Sequence, residues 1–216
     1  MNGRAIELAG EQVLLLPEKA LYWPARKILV IADIHFGKAA SFRAQGVPVP
    51  RGTTTENLDG LDALMAVHDT AEIVFLGDFL HARAAHAPAT LAAMLAWRQR
   101  NNKVRLTLVR GNHDLHAGDP AVALGIDMAD EPHTVGAFSF CHHPDIWGPQ
   151  YVLAGHVHPV YILASRLDSL RLPCFLAGPT RMVLPSFGAF TGGHPVNPGA
   201  GEHVYVSSGE AVHSVR

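Results

Sequence analysis

Three short apolar runs begin the chain and predict a meander of small β-strands. These runs cover residues 5–8, 12–16 and 20–23. Gly10 and Pro17 separate them, and both residue types favour turns over regular structure. We expect this meander to widen a sheet or to cover one of its edges.

From residue 28 onward, apolar runs typical of buried strands alternate with segments of helical spacing. The predicted strands are 28–32, 73–76 and 104–109, and the predicted helices are 36–44, 53–69 and 88–100. The second helix has a threonine cap and carries Glu56 in its first turn. This alternation predicts βαβ units around a mainly parallel sheet.

The pattern changes after Thr134, where glycine and proline interrupt short apolar runs and no long helix is indicated. Two of these runs, 138–141 and 151–154, are the strongest strand candidates in this half. We therefore expect a second region made mostly of strands. At 216 residues the chain is long enough to form one domain, 1–216, that buries about 70 % of its unfolded surface.

Composition indicates an ordinary globular chain with 48 % hydrophobic and 17 % charged residues. No apolar run approaches the roughly 20 residues that a membrane helix requires, so we expect no membrane contact and a cytoplasmic location. The net charge of −2, without a basic stripe, argues against a protein that wraps long nucleic acid. Cys141 and Cys174 lie in apolar runs and are predicted to be reduced and buried.

Residue types that bind metals follow the predicted strands directly. They are Asp33 and His35, Asp78, Asn112 with His113 and Asp114, His142, and His156 with His158. In the pairs Asp33/His35 and His156/His158, residues two apart on a strand point to the same face, so both members are expected to reach one cluster. The neighbouring glycines are expected to allow tight turns at the strand ends; they are Gly77, Gly111 and Gly155.

Mixed carboxylate and imidazole ligands of this kind suit a pair of divalent cations about 3.5 to 4 Å apart, which stabilise an in-line displacement at phosphorus. Such a pair needs one shared ligand. Asp78 is the candidate because a carboxylate has two oxygens and offsets part of the charge of both ions.

The motifs Asp-x-His, Gly-Asp, Gly-Asn-His-Asp, His and Gly-His-x-His, in this order, resemble the signature of the calcineurin-like metallophosphoesterase superfamily. The resemblance implies a four-layer α/β/β/α sandwich of two mixed sheets. It also implies that Asp33, His35 and His158 bind a first metal with Asp78, and that Asn112, His142 and His156 bind a second. His113 is then left to stabilise phosphoryl oxygens or to protonate the leaving oxygen, with Asp114 orienting its ring.

The surroundings of these motifs resemble a narrower group, the bacterial ligase-associated DNA damage response endonuclease family of the PdeM type. The segments concerned are 32–43, 46–54 and 77–83. The resemblance implies a two-metal phosphodiesterase that acts on DNA ends or single strands, activated by Mn²⁺, beside an ATP-dependent DNA ligase, an exonuclease and a helicase. Fe²⁺, Zn²⁺ or Co²⁺ would suit the same ligands. The alternative is a small-molecule phosphoesterase, or a docking subunit whose metals are structural.

For several residues near the motifs, the sequence leaves two roles open. Basic side chains around the motif loops are candidates for phosphate binding or for salt bridges; they are Lys38, Arg43, Arg51, Arg83 and Arg110. His81 and His116 are candidates for substrate contact or for the surface. His143 is expected to point away from the site that His142 faces. A cysteine phosphatase is excluded because the arginine expected five residues after Cys141 is replaced by Ile146.

Overall fold

The computed structural model describes residues 3–49, 52–166 and 168–215, so Arg51 lies outside the described residues. Its first sheet contains seven described strands in sequence order, antiparallel from β1 to β4 and parallel from β4 to β7. They are β1 Arg4–Leu8, β2 Glu11–Leu16, β3 Ala20–Trp23, β4 Ile28–Ala32, β5 Glu72–Leu76, β6 Arg105–Val109 and β7 Ile126–Ala129. The predicted meander and the predicted parallel sheet are both confirmed.

Helices connect the parallel strands. They are α1 Lys38–Ala44, α2 Thr53–Val67, α3 Pro88–Arg100 and α4 Asn112–Ala117, with 3-10 turns at Arg83–His86 and Val122–Leu124. The threonine cap predicted for α2 is wrong, because Gly52 caps the helix with a left-handed backbone, φ 95°. The sequence pattern did not predict α4, which is too short to show a helical period.

The second sheet contains nine described strands, mostly short, and confirms the strand-rich second half. They are β8 His133–Val135, β9 Phe138–Phe140, β10 Tyr151–Ala154, β11 Pro159–Ala164, β12 Ser169–Ala177, β13 Arg181–Val183, β14 His194–Pro195, β15 His203–Ser207 and β16 Val212–Ser214. Strands β9, β10 and β13 are parallel, while β12 runs antiparallel to β11, β13 and β15. This sheet is therefore also mixed.

A continuous apolar core joins the two sheets. Val74 and Leu76 of β5 belong to the same buried cluster as Phe140 of β9, Leu153 of β10 and Phe175 of β12. On its other face, the first sheet packs against the apolar sides of α2 and α3. The strands from both sheets that carry the polar motifs are thereby held rigidly next to each other.

The predicted α/β class with two mixed sheets is confirmed, and its helices lie on one side. Within the described chain, all the α-helices precede residue 118, and none lies in the strand-rich second half, whose outer face would carry the second helical layer of the expected α/β/β/α sandwich. Cys174, next to Phe175 on β12, points to this outer side and packs with Val204 and Val206. No helix in the described ranges has the length and hydropathy needed to span a membrane.

Both cysteines are buried and unpaired, as predicted. Burial raises the pKa of the Cys141 thiol to about 12 and has the same effect on the Cys174 thiol. Thiols with such pKa values stay protonated near neutral pH, so they behave as small apolar side chains.

Truncating the inter-sheet core is expected to destabilise the fold. Phe175→Ala removes a ring that is 0 % exposed and should lower the free energy of unfolding by about 3–5 kcal/mol. Ile162→Ala, on a side chain that is 46 % exposed, is the control and should change it by less than about 0.5 kcal/mol. Urea denaturation measures both values, and equal losses would contradict this assignment of the core.

Candidate metal centre

All seven predicted metal ligands follow the carboxyl ends of strands, at the edge where the two sheets meet. Asp33 and His35 follow β4, Asp78 follows β5, His142 follows β9, and the pair His156 and His158 follows β10. Asn112 is the first residue of α4, just after β6. The structure thus brings side chains from five separate strand ends into one cluster.

Most of these residues have a left-handed backbone, which is uncommon for residues other than glycine. The φ angles lie between 49° and 71° at Asp33, His35, Asp78, His156 and His158. The expectation that strand alternation places the paired residues on one face is therefore wrong, because neither pair lies within a strand. Each of these five residues instead turns sharply after its strand, a strain that proteins retain mainly at functional sites.

One group of ligand atoms surrounds His35. Asp33, His35, Asp78 and His158 each place a donor atom within 4.8 Å of all the others. The Nε2 atoms of His35 and His158 are 3.3 Å apart, and Asp78 Oδ2 lies 3.8 Å from His35 Nε2. The Asp33 carboxylate is 3.6 Å from His158 Nε2 and accepts the backbone N–H of His156.

A second group surrounds His142, on the other side of Asp78. His142 Nε2 lies 2.9 Å from Asn112 Oδ1, 3.0 Å from His156 Nδ1 and 3.5 Å from Asp78 Oδ1. Asp78 therefore directs Oδ2 toward the first group and Oδ1 toward the second. A single carboxylate is placed to serve both.

Lone pairs converge in both groups, which is the environment that a cation requires. His142 Nδ1 is 3.0 Å from the Leu76 carbonyl and donates its proton there, so Nε2 of the neutral ring carries a lone pair. His158 Nδ1 is 3.3 Å from the Gly192 carbonyl, and donation there leaves a lone pair on His158 Nε2. Burial lowers the pKa of His35 far below its usual range and also lowers that of His156, which favours the neutral, ligating form. The donor set fits divalent metal ions.

Glu131 and His143 adjoin the second group, and the sequence patterns did not assign them to it. Glu131 Oε1 lies 2.6 Å from His143 Nδ1, while its Oε2 accepts the backbone N–H of both His142 and His143. The His143 and His142 rings lie 4.6 and 4.8 Å from the His156 ring, and ligand atoms of all three lie within 4.8 Å of one another. The expectation that His143 points away from the site is therefore wrong. No local spacing links Glu131 to this loop, because the two are brought together only by the second sheet.

His113 lies at the rim of the centre, and a backbone carbonyl orients it. Its Nδ1 is 2.8 Å from the His81 carbonyl, and its Nε2 is 3.9 Å from Asp78 Oδ2. Its backbone N–H donates to Asp78 Oδ1 at 2.9 Å. The side chain is 38 % exposed, so it remains accessible to a substrate.

Asp114 does not have the role predicted for it. Among the described residues, its carboxylate accepts the backbone N–H groups of Leu80 and Gly111, both at 3.0 Å, and not a proton from the His113 ring. Burial raises the pKa of Asp114 to about 6, although these two N–H groups act in the opposite direction. Because Asp114 points inward from α4, it ties the loop after β5 to the loop after β6.

The basic residues near the motifs differ in their contacts and in their exposure. Arg110 binds Asp119 through two hydrogen bonds and also contacts Asp130, so it is salt-bridged. Burial lowers the pKa of Lys38, and attraction to Asp78 and Asp33 partly offsets that effect. Arg83 is exposed, and Arg43 lies beside a shallow cleft between α1 and α3.

His81 and His116, for which the sequence left substrate contact and a surface position both open, lie on one side of the centre. The His81 ring stacks on His113 with 4.8 Å between centroids and faces Phe42 at 6.1 Å. Within the described chain its Nδ1 atom is buried without a hydrogen-bond partner. His116 is exposed on α4, and its Nδ1 lies 2.7 Å from the Asn112 carbonyl.

Gly155 is needed for close approach, and its replacement is expected to disturb ligand placement. The Cβ atom of Gly155→Ala would lie 2.8 Å from Asp33 Oδ2 and 2.9 Å from the Leu76 carbonyl oxygen, so the carboxylate must move. We expect metal affinity to fall about 10- to 100-fold, the range found when the support of a ligand is lost. Gly199→Ala, where the nearest atom is 3.5 Å away, is the control. Calorimetric Mn²⁺ titration measures both variants, and wild-type affinity in Gly155→Ala would contradict the ligand assignment of Asp33.

Comparisons with solved structures found a match that extends along nearly the whole chain. The crystal structure of Pseudomonas putida nuclease MPE matches with 44 % identity and a TM-score of 0.88, over 99 % of this chain and 100 % of that chain. A protein of unknown function, AQ665 from Aquifex aeolicus, matches with 17 % identity over 61 % of this chain and 78 % of that chain, and its TM-score of 0.39 supports no inference. None of the curated proteins compared with the chain matches it.

The family model described as calcineurin-like phosphoesterase matches residues 26–141. The matched segment includes Asp33, His35, Asp78 and Asn112, and it ends one residue before His142. On the family match and the full-length similarity to the nuclease, the chain belongs to the calcineurin-like phosphoesterase family.

Proposed function

We propose that this protein is a metal-dependent phosphodiesterase that cleaves DNA at ends or within single strands. One observation carries the proposal: Asp78 lies between two groups of metal-binding side chains, with Oδ2 3.8 Å from His35 Nε2 and Oδ1 3.5 Å from His142 Nε2. The 44 % identity to a nuclease along the full chain supports a phosphodiester of nucleic acid as the substrate.

In this proposal the two groups hold two divalent ions. Asp33, His35, Asp78 and His158 would hold one ion, and Asn112, His142, His156 and Asp78 would hold the other. Bound ions would supply Lewis-acid stabilisation of the charge that builds on the phosphoryl group. We propose Mn²⁺ as the metal, since mixed oxygen and imidazole donors suit it; Fe²⁺, Zn²⁺ and Co²⁺ suit the same donors.

His113 supplies a proton to the leaving oxygen in this mechanism. The His81 carbonyl fixes the Nδ1 proton, so Nε2 is the atom that faces the substrate. Before transfer, the charged ring holds a proton on each nitrogen, and the His81 carbonyl stabilises this form. The Nε2 proton then passes to the leaving oxygen. The Lys38 ammonium, which is attracted to Asp78 and Asp33, adds positive charge to the surroundings of these carboxylates.

The net charge of −2 indicates that the chain has few phosphate contacts of its own. We therefore propose that a partner positions it on DNA, with an ATP-dependent DNA ligase as the first candidate and the associated exonuclease and helicase as others. The setting is cytoplasmic DNA repair. A pull-down with the ligase tests this association. The same pull-down is repeated with variants in which exposed charged residues of either protein are replaced.

Replacing His113 is expected to separate catalysis from metal binding. His113→Ala keeps the backbone N–H that donates to Asp78, so metal content should stay at the wild-type level. Turnover of an aryl phosphodiester should fall about 10²- to 10⁴-fold, the usual contribution of a positioned acid. His213→Ala, an exposed histidine on β16, is the matched control. Elemental analysis and turnover per bound metal decide the result, and loss of metal with unchanged turnover per metal would show that His113 is a ligand.

The substrate assignment is tested by comparing substrates and salt concentrations. We expect hydrolysis of an aryl phosphodiester to exceed that of an aryl phosphomonoester, and cleavage of single strands to exceed that of intact duplex. Because each phosphate contact on a single strand steepens the salt dependence of binding by about 0.7 in log–log slope, the isolated protein should show a shallow slope. Tight, steeply salt-dependent binding to intact duplex, or hydrolysis of monoesters alone, would overturn the proposal.

A further inference from the structure

A pocket of about 620 Å³ opens beside the candidate metal centre. Its walls come from α1, from the turn Arg83–His86 and from α4, and Asn112 and His113 form part of its lining. Its volume lies within the roughly 300–1,000 Å³ of sites that hold small ligands. His113 lines the pocket and its Nε2 lies 3.9 Å from Asp78 Oδ2, so the pocket adjoins the metal centre.

The lining of this pocket suits an anion. Ser41, Gln45, His81, Arg83 and His116 contribute polar groups, and none of the described residues that line it is acidic. Arg83 is exposed and makes no hydrogen bond or ion pair with the described residues, in contrast to Arg110, which is neutralised by Asp119 and Asp130. A guanidinium group left unpaired in a pocket is well suited to bind a phosphate group.

We infer that this pocket binds the nucleotide on the leaving-group side of the cleaved phosphodiester, with Arg83 contacting the next phosphate along the strand. The inference rests on the proposed function. A proton donor must lie within hydrogen-bond reach of the leaving oxygen, and His113 is the only candidate donor in the described pocket wall that also contacts Asp78. In an in-line displacement the nucleophile enters from the opposite side, so the leaving strand extends from His113 into the pocket.

The test compares three substrates with wild-type protein, Arg83→Ala and Arg83→Lys. The substrates are a bis-aryl phosphodiester, a single-stranded oligonucleotide, and the same oligonucleotide with neutral methylphosphonate linkages flanking the cleaved bond. Arg26→Ala is the matched control, because Arg26 is exposed at the opposite end of the first sheet, just before β4.

We expect Arg83→Ala to lower kcat/KM for the oligonucleotide about tenfold, the usual effect of losing one charged hydrogen bond. The slope of log kcat/KM against log salt should become shallower by about 0.7, since one phosphate contact is lost. Arg83→Lys should retain the wild-type slope. The aryl diester lacks a flanking phosphate, so its hydrolysis should be unchanged, and the methylphosphonate substrate should show no difference between wild type and Arg83→Ala.

Three results would overturn the inference. If wild type cleaves the oligonucleotide and Arg83→Ala cleaves it equally well, or if the variant loses activity equally on all three substrates, the subsite is wrong and the proposed function stands. If wild type hydrolyses the aryl diester and cleaves no oligonucleotide, the nuclease function is wrong, and the subsite with it.

Discussion

The position of the Asp78 carboxylate constrains the rest of the centre. Its backbone is left-handed, φ 49°, directly after Gly77 at φ 73°. Gly111 allows this arrangement, because a Cβ there would lie 2.5 Å from the Asp78 backbone nitrogen and from Oδ1. The His113 N–H then holds Oδ1, while Oδ2 turns toward His35. Small residues and one backbone donor thus fix a side chain that two groups of ligands share.

The sandwich of two sheets is what brings those ligands together. Strands β4, β5 and β6 supply one half of the centre from the first sheet, and β9 and β10 supply the other half from the second. Hydrogen bonds cross between the halves: His142 Nδ1 donates to the Leu76 carbonyl, and the His156 N–H donates to Asp33. The apolar core beneath them therefore determines distances within the centre as well as the stability of the fold.

Much of this could be predicted from apolar periodicity and residue order, because buried strands and the residues that follow them leave a local pattern. Contacts that leave no local pattern in the sequence could not be predicted. Glu131 reaches His143 only through strand pairing, and the His81 carbonyl that orients His113 belongs to the backbone, whose contacts no side-chain motif encodes. The left-handed turns at Asp33 and His158 contradict simple alternation, and α4 begins within a motif that resembles a strand end.

The left-handed turns share a physical cause. Left-handed backbones at carboxylate and imidazole residues cost of order 1 to 3 kcal/mol each. Local preferences therefore oppose the arrangement, and they are outweighed by the rigid core on one side and by cation binding on the other. Since metal affinity in such sites is coupled to folding, the centre is most stable in the state in which its donors are shared with ions. At the metal centre the backbone departs from the conformations that the residue types prefer. The strand pattern therefore locates the site but does not predict its geometry.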